Sequence, residues 1–139
     1  MSASFVIDCS ITMAWCFSDE ATPATANVQD RLEMEAALVP AHWFLEVTNV
    51  LAMAEKRKRI TAAKSAAFLA LLETMDIEVD HDTPARAFAH LLPLGRSHGL
   101  TAYDAAYLDL ALRRRLPVAS LDDDLRASAK ALGVRVLGR

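Results

Sequence analysis

Short apolar runs and longer amphipathic segments alternate along this chain, and the pattern predicts strands that alternate with helices. The short runs predict strands at 4–7, 37–40, 77–80, 116–121 and 134–137. The segments between them predict helices at 11–17, 42–59, 61–74, 83–95, 101–115 and 122–132, and a further helix that starts within 18–23 and runs to about 35. We therefore expect an α/β fold with right-handed crossovers, a mostly parallel central sheet and helices on both of its faces.

Two acidic residues stand at the ends of predicted strands. Asp8 cuts short the first apolar run, and Asp122 follows the fourth. A carboxylate is costly at the end of a buried run, and open parallel sheets bind ligands beyond the carboxyl ends of their strands. We expect both side chains to contribute to one site.

Two further acidic residues fall on the inward faces of predicted helices. At about 100° per residue, Asp104 shares an arc with Tyr107, whereas Asp109 falls on the far side. The same projection places Glu46 with Val50. Asp104 and Glu46 are therefore predicted to point inward, and Asp109 is expected to matter little for activity.

The four acids together indicate a metal site. Carboxylates gathered in a cleft repel one another, and their pKa values rise unless a cation offsets their charge. Hard divalent cations prefer oxygen ligands, so Mg²⁺, or alternatively Mn²⁺, is the expected cofactor. Such a site suits phosphodiester hydrolysis, because the metal activates water and stabilises charge on the phosphate. No Gly-x-Gly-x-x-Gly or Walker motif follows a predicted strand.

Each acid also has a structural interpretation. Asp104 could complete a capping box with Thr101, and Asp122 or one of the two acids after it could cap the next helix. Glu46 could pair with a buried arginine. Asp8 has the weakest alternative, because an apolar residue would continue its strand at lower cost. The joint occurrence of the four acids is what favours a functional site.

Composition and charge are those of one globular domain over residues 1–139. The chain is 53% hydrophobic and 24% charged. Its formal net charge is −3, so the residues other than the four candidate acids, which carry −4, sum to a slight positive charge. Basic residues are concentrated at 56–59 and 113–115, where they either favour a helix dipole or contact phosphates. The charge does not exclude a nucleic-acid substrate.

Several other classes fit the sequence poorly. Cys9 and Cys16 lack disulfide or zinc spacing and are expected to be buried apolar residues, and a nucleophilic Cys9 has no histidine near it in the sequence. The four histidines are scattered without ligand spacing. We find neither a signal peptide nor a stretch of about 20 apolar residues, so we expect a cytoplasmic protein outside the membrane.

Three segments resemble PIN-domain ribonucleases, and specifically the VapC-type toxins of bacterial toxin–antitoxin pairs. They are FVIDCSITMAWCF, VPAHWFLEVTNVL and GLTAYDAAYLDLALRRRLPVASLDDDLRASAKALGV. The resemblance covers essentially the whole chain. It implies a three-layer α/β/α PIN-like fold, a homodimer, and Mg²⁺- or Mn²⁺-dependent endonucleolytic cleavage of RNA, commonly tRNA or rRNA. It also implies a VapB-like antitoxin that holds the enzyme inactive.

The resemblance assigns roles to individual residues. The four acids match Asp8, Glu46, Asp104 and Asp122 as catalytic and metal-binding groups. Asp8 and Asp104 would bind the principal ion, Asp122 would complete its shell, and Glu46 would orient or deprotonate the attacking water.

Supporting positions match Ser10, Asn49 and Ser120. The acidic run after Ser120 departs from the family pattern, in which a basic or polar residue follows the fourth acid, and it leaves Asp124 as an alternative to Asp122.

Two rival functions remain open. A PIN-like module that binds RNA or protein without effective catalysis would keep the acids and cleave nothing. A receiver-like phosphoacceptor or a phosphatase also clusters acids at strand ends, but a D-x-D phosphatase needs a second acid where Ser10 stands.

Overall fold

The computed structural model describes residues 2–139, in which five parallel strands form a sheet flanked by helices. The strands are β1 (Ala3–Ile7), β2 (Ala36–Pro40), β3 (Ile77–Asp80), β4 (Val118–Ala119) and β5 (Val136–Leu137). Their order across the sheet is β3-β2-β1-β4-β5, and every neighbouring pair is parallel. The predicted α/β fold with a parallel central sheet is confirmed.

The helices that connect the strands are α1 (Cys9–Ala14), α2 (Pro23–Arg31), α3 (Trp43–Lys56), α4 (Ala62–Glu73), α5 (Thr83–Arg86), α6 (Leu92–His98), α7 (Ala102–Arg114) and α8 (Asp123–Ala131). A 3₁₀ turn at Ser18–Glu20 precedes α2, and a π-helical turn at Ala87–Leu91 joins α5 to α6. No helix within residues 2–139 has the length and apolar character needed to cross a membrane.

The helix caps agree with the predicted helix starts. Thr61 and Thr101 cap α4 and α7, and each hydroxyl accepts the N–H of the residue three positions later. The predicted single helix at 83–95 is interrupted instead, because Pro93 has no N–H to continue the helical hydrogen bonds and a π-helical turn precedes it. Gly99, at φ +65°, then ends α6.

Strand β4 is shorter than the run at 116–121 that predicted it. Leu116 still donates its N–H to Ala111 of α7, and Pro117 has no N–H to give. Ser120 still donates its N–H to the Leu137 carbonyl, and the chain then leaves the sheet, because Leu121 N–H bonds to a serine side chain of another segment. Strand β4 itself contains two of the six predicted residues.

The helices form two layers around the sheet. β1, β2 and β3 follow one another towards one edge, whereas β4 and β5 lie on the other side of β1. Right-handed crossovers then put α1 to α4 on one face and α5 to α8 on the other. The packing of α1 against α3, and of α7 against α6 and α8, agrees with this arrangement.

The strand order reverses between β1 and β4, and this switch point fixes where a site can form. The connections from these neighbouring strands leave in opposite directions and open a crevice at their carboxyl ends. β1 and β2 are buried between both helix layers, so polar groups concentrate where these strands end.

Candidate active site at the carboxyl edge of the sheet

Asp8 lies directly after β1 and is 2% exposed. One carboxylate oxygen, Oδ1, accepts the Ile11 N–H at 3.0 Å and the Ser10 hydroxyl at 2.6 Å, while Oδ2 accepts the Ser120 hydroxyl. Asp8 is thereby the N-cap of α1. The structural interpretation of Asp8 was expected to be the weakest of the four, yet its carboxylate starts a helix as well as facing the crevice.

The two serines fasten the loop after β4 to this carboxylate. Ser10 Oγ accepts the Leu121 N–H at 2.9 Å, and Ser120 Oγ accepts the Asp122 N–H at 3.0 Å. Each hydroxyl uses its single hydrogen on Asp8 and a lone pair on the loop backbone. This double use explains why a serine stands two residues after Asp8 and another stands two residues before Asp122.

Arg126 also holds this loop in place, although the sequence did not identify it as a candidate. Its buried Nη1 donates to the carbonyls of Ser120 at 2.8 Å and Leu137 at 2.9 Å. The next residue, Gly138, has φ +106°, and a Cβ at this position would lie 2.8 Å from Ile11 Cδ1. A side chain is therefore disfavoured beside the Arg126 contact with Leu137. The position of Arg126 one turn after Asp122 was the available signal.

The carboxyl groups of Asp8 and Asp104 both have raised pKa values. Burial raises the pKa of Asp8 to about 6, against the opposing hydrogen bonds from Ser10, Ser120 and Ile11, and the Asp104 charge adds to the rise. Burial likewise raises the pKa of Asp104 to about 6, and the charges of Asp122 and Glu46 add to it.

Glu46 reaches the crevice from the other helix layer. Its Oε1 accepts the Tyr107 hydroxyl at 2.6 Å, so a side chain of α3 meets one of α7 across the edge of the sheet. Burial and the Glu46 charge raise the pKa of the Tyr107 phenol, which keeps it a neutral donor. Glu46 is bound by a phenol and not by the buried arginine that its structural interpretation proposed.

His42 lies beside Glu46, although the sequence reasoning placed no histidine in a site. Its Nε2 is 3.2 Å from Glu46 Oε1, but the angle does not meet hydrogen-bond geometry, and this buried nitrogen has no other partner within residues 2–139. The ring stands 5.0 Å from that of Tyr107. The spacing of four residues between His42 and Glu46 on one helix face was the signal that could have found it.

The predicted acid Asp122 caps α8, with Oδ2 accepting the Leu125 N–H at 2.8 Å. Its charge acts on Asp104, as stated above. Asp124 is exposed in the first turn of α8, and Asp123 pairs with Arg139 at 2.6 Å. The cap assigned to this acidic run is therefore Asp122 itself.

Asn49, the predicted polar partner of Glu46, is exposed on α3. Its side chain makes no hydrogen bond with the described residues.

Asp109 lies on the face of α7 opposite Asp104, but it is 7% exposed and not free in water. Arg86 donates to it at 2.6 and 2.9 Å, and Arg113 donates at 3.1 Å. Although burial opposes it, these hydrogen bonds hold the pKa of Asp109 below its usual range. Asp109 therefore has a structural role on this face, and the expectation that it matters little for activity stays a prediction.

Each basic run contributes an arginine that has structural contacts. Arg59 bonds to Asp19 and Glu20 and lies over the Phe17 ring at 3.8 Å. Arg113, from the second run, also pairs with Asp80. These two arginines are engaged within the fold.

The cysteines are half-buried, not fully buried as expected. Burial, with the charges of Glu46 and Asp8, raises the pKa of the Cys9 thiol to about 12. A thiol with such a pKa is a poor nucleophile near neutral pH, which disfavours the cysteine alternative.

The donor set fits a hard divalent cation. Within residues 2–139, no three carboxylate, imidazole or thiol groups stand close enough together to hold one ion as they are placed. The charge of Asp104 nevertheless raises the pKa of Asp8, the charges of Asp122 and Glu46 raise that of Asp104, and a cation would relieve this repulsion. Because the groups are carboxylate oxygens, the site suits Mg²⁺ or Mn²⁺ better than softer metals.

Comparisons with known proteins agree with this architecture. Similar solved structures include PAE2754 from Pyrobaculum aerophilum, at 20% identity and a TM-score of 0.73, covering 98% of this chain and 90% of that one. VapC20 of Mycobacterium tuberculosis, described as a sarcin-ricin loop cleaving toxin, has 14% identity and a TM-score of 0.62, covering 90% and 95%. FitAcB from Neisseria gonorrhoeae has 18% identity and a TM-score of 0.64, covering 95% of both chains.

At these identities the structural likeness shows the fold. A comparison with curated protein sequences finds no match. The family model described as the PIN domain matches residues 5–131, which is nearly the whole chain. The chain therefore belongs to the PIN domain family.

Proposed function

We propose that this PIN domain is a metal-dependent endoribonuclease and the toxin of a VapBC-type toxin–antitoxin pair. The observation that carries the proposal is the buried Asp8 carboxylate at the switch point, whose pKa is raised by burial and by the charge of Asp104. Burial of such a group is costly, and a bound cation is the physical arrangement that offsets it. The description of VapC20 as a sarcin-ricin loop cleaving toxin supports RNA as the substrate.

Asp8 and Asp104 would hold the ion, with Asp122 and Glu46 completing its surroundings. When bound, Mg²⁺ or Mn²⁺ lowers the pKa of water and stabilises charge on the phosphate. The water oxygen attacks phosphorus, a P–O ester bond breaks, and the leaving oxygen takes up a proton. Glu46 would take the proton of the attacking water, and the Tyr107 hydroxyl orients Glu46 for this role.

An apolar groove on the surface of the protein supports the antitoxin partner. It lies between α3 and α4, and its lining includes Trp43, Phe44, Val47, Leu69 and Leu72. Phe44 is 48% exposed and Leu69 41%, which suits the apolar face of a partner helix. Co-purification with the product of a small adjacent reading frame tests this partner, and its absence from the purified complex would count against it.

A second copy of the chain is the other proposed partner. Phe88 is 90% exposed and Leu92 54% exposed on neighbouring turns between α5 and α6, an apolar pair that dimerisation would cover. Light scattering of the purified protein at several concentrations tests for the homodimer.

The nuclease proposal is tested by incubating the antitoxin-free protein with total cellular RNA, with and without Mg²⁺ or Mn²⁺. Asp8→Asn, which keeps the side-chain shape, should lower cleavage more than about 100-fold, because removal of a metal ligand exceeds the 10- to 100-fold effect of outer-shell groups. The matched control is Asp76→Asn, an exposed acid at the amino end of β3 and thus at the opposite edge of the sheet. It should cleave like the wild type.

Intact RNA in every lane, from a protein with a verified fold, would favour a PIN-like binding module without effective catalysis. Equal loss of activity in both variants would show that cleavage does not depend specifically on Asp8 or on its site.

A further inference from the structure

One aromatic ring is left in water at the entrance to the acidic site. Tyr103 is 61% exposed in the first turn of α7, immediately before Asp104. Its hydroxyl makes no hydrogen bond to the rest of residues 2–139. Exposed aromatic surface of this size contributes little to the stability of the fold, so binding of a ligand better explains a tyrosine at this position.

The ring of Tyr103 is held in place by its neighbours. Its centre lies 5.8 Å from that of His42 at an interplanar angle of 45°, and His42 in turn contacts the edge of the buried Tyr107 ring. Three rings therefore lead from the surface to the Glu46 carboxylate. A ring positioned in this way loses little conformational freedom when a ligand stacks on it.

The charge of the site gives stacking a function. Asp8, Glu46, Asp104 and Asp122 place four negative charges at this edge when ionised, and one divalent cation offsets two of them, so the remainder repels an approaching phosphate. Part of the substrate affinity must come from contacts that carry no charge. Base–aromatic stacking supplies about 1–3 kcal/mol per base and tolerates any base, since every base has a π-face.

We infer that Tyr103 is a stacking platform for an unpaired base next to the phosphate held at the acids. The inference rests on the proposed ribonuclease function and assigns to it a residue that binds the base of the substrate. Bases of double-stranded RNA are stacked within the helix and cannot reach the ring, whereas bases of loops can be turned outwards. Adjacent residues of a helix diverge by about 100°, so the base and the phosphate would occupy different sides of the first turn of α7.

The test measures RNA binding separately from cleavage. The Asp8→Asn protein, which should not cut the probe, is titrated in Mg²⁺ against a fluorescein-labelled 12-nucleotide adenosine RNA, and anisotropy is followed. Adding Tyr103→Ala should weaken binding about 5- to 150-fold, the range that corresponds to loss of one stacked base. Tyr103→Phe should retain the affinity. Met34→Ala removes a more exposed apolar side chain from another segment and should leave binding unchanged.

A second probe isolates the base. A 12-nucleotide strand of abasic ribose phosphate should bind the Asp8→Asn protein and its Tyr103→Ala derivative equally. A 12-base-pair RNA duplex should likewise show no dependence on Tyr103. These two results, together with the loss for the adenosine strand, would establish stacking on an unpaired base.

Three outcomes would overturn the inference: equal affinity of the Tyr103→Ala protein for the adenosine strand, a loss in Tyr103→Phe as large as in Tyr103→Ala, or a loss that persists with the abasic strand. Equal affinity of the Tyr103→Ala protein would favour contact of Tyr103 with a protein partner instead. Failure of the ribonuclease proposal is recognised separately, because it appears as absence of cleavage by the wild-type protein in the RNA assay above.

Discussion

The Asp8 side chain combines two tasks that usually fall to different residues. It caps α1 through the Ile11 N–H, and it anchors the loop after β4 through Ser10 and Ser120. Three hydrogen bonds favour its ionised form, yet burial outweighs them and its pKa is about 6. The fold thus keeps a carboxylate at a cost to stability, which is typical of a functional position.

This cost predicts how stability depends on pH. The folded pKa of Asp8 lies above the unfolded value, so the folded state binds the proton more tightly and the unfolding free energy falls as pH rises from about 4 to about 6. In Asp8→Asn this loss is absent. The metal-free wild type should therefore lose about 2–3 kcal/mol more than the variant over this range.

Urea unfolding of both proteins at several pH values between 4 and 7 measures the difference. Asp80 and Asp109 have lowered pKa values and an opposite pH dependence, but they are present in both proteins and cancel in the comparison. Parallel stability curves for the two proteins would contradict the prediction.

Helix α7 has different tasks on its two faces. Asp104 faces the crevice, while Asp109 binds Arg86 and Arg113 and so ties α5 to α7. Periodicity separated these faces correctly. It could not predict whether another element packs over the face away from the site, because that packing depends on the path of the chain through α5 and the π-helical turn.

Removal of the Asp109 charge should destabilise the fold without affecting the site. Asp109→Asn leaves two partly buried arginines short of an anionic partner, and we expect a loss of about 2 kcal/mol, less than for a fully buried pair because the arginines retain some contact with water. Chemical denaturation measures this loss, and Mn²⁺ titration of the folded protein should be unchanged.

Asp82→Asn is the matched control. This carboxylate is 3.7 Å from Arg113 but its side chain is 71% exposed, so its loss should cost little. Equal destabilisation by the two substitutions would show that the Asp109 contacts have no special weight.

At the scale of the whole molecule, the two helix layers meet at the carboxyl edge of the sheet. Glu46 comes from α3 on one face and Tyr107 from α7 on the other, and their 2.6 Å hydrogen bond joins residues 61 positions apart. The position of Glu46 relative to Asp104 therefore depends on how both layers pack. A bond of this kind couples the geometry of the site to the global fold.

Tyr107→Phe should lower RNA cleavage about 10-fold while changing the unfolding free energy by about 1 kcal/mol, because it removes one hydrogen bond and keeps the ring. Single-turnover cleavage and urea unfolding measure the two effects. Tyr103→Phe removes an exposed hydroxyl from the same helix and should change neither. An unaltered cleavage rate in Tyr107→Phe would mean that this hydroxyl does not position Glu46.

The sequence by itself determined the order and type of the elements. Apolar runs, threonine caps and Pro84 located strands and helices, because these signals act over a few residues. It also indicated that Asp8 and Asp122 follow strands and that Asp104 faces inward with Tyr107. The PIN resemblance, carried by three segments, agrees with the family to which the chain belongs.

Only the tertiary structure decided what those side chains touch. The contacts of Asp8 with Ser120, of Glu46 with Tyr107 and of Arg126 with Leu137 all join segments that are distant in the sequence or lie on different elements. The cover over Asp109 and the ring series from Tyr103 to His42 have the same origin. Local patterns record which way a residue faces, whereas its burial, pKa and partners follow from packing between elements that the pattern does not contain.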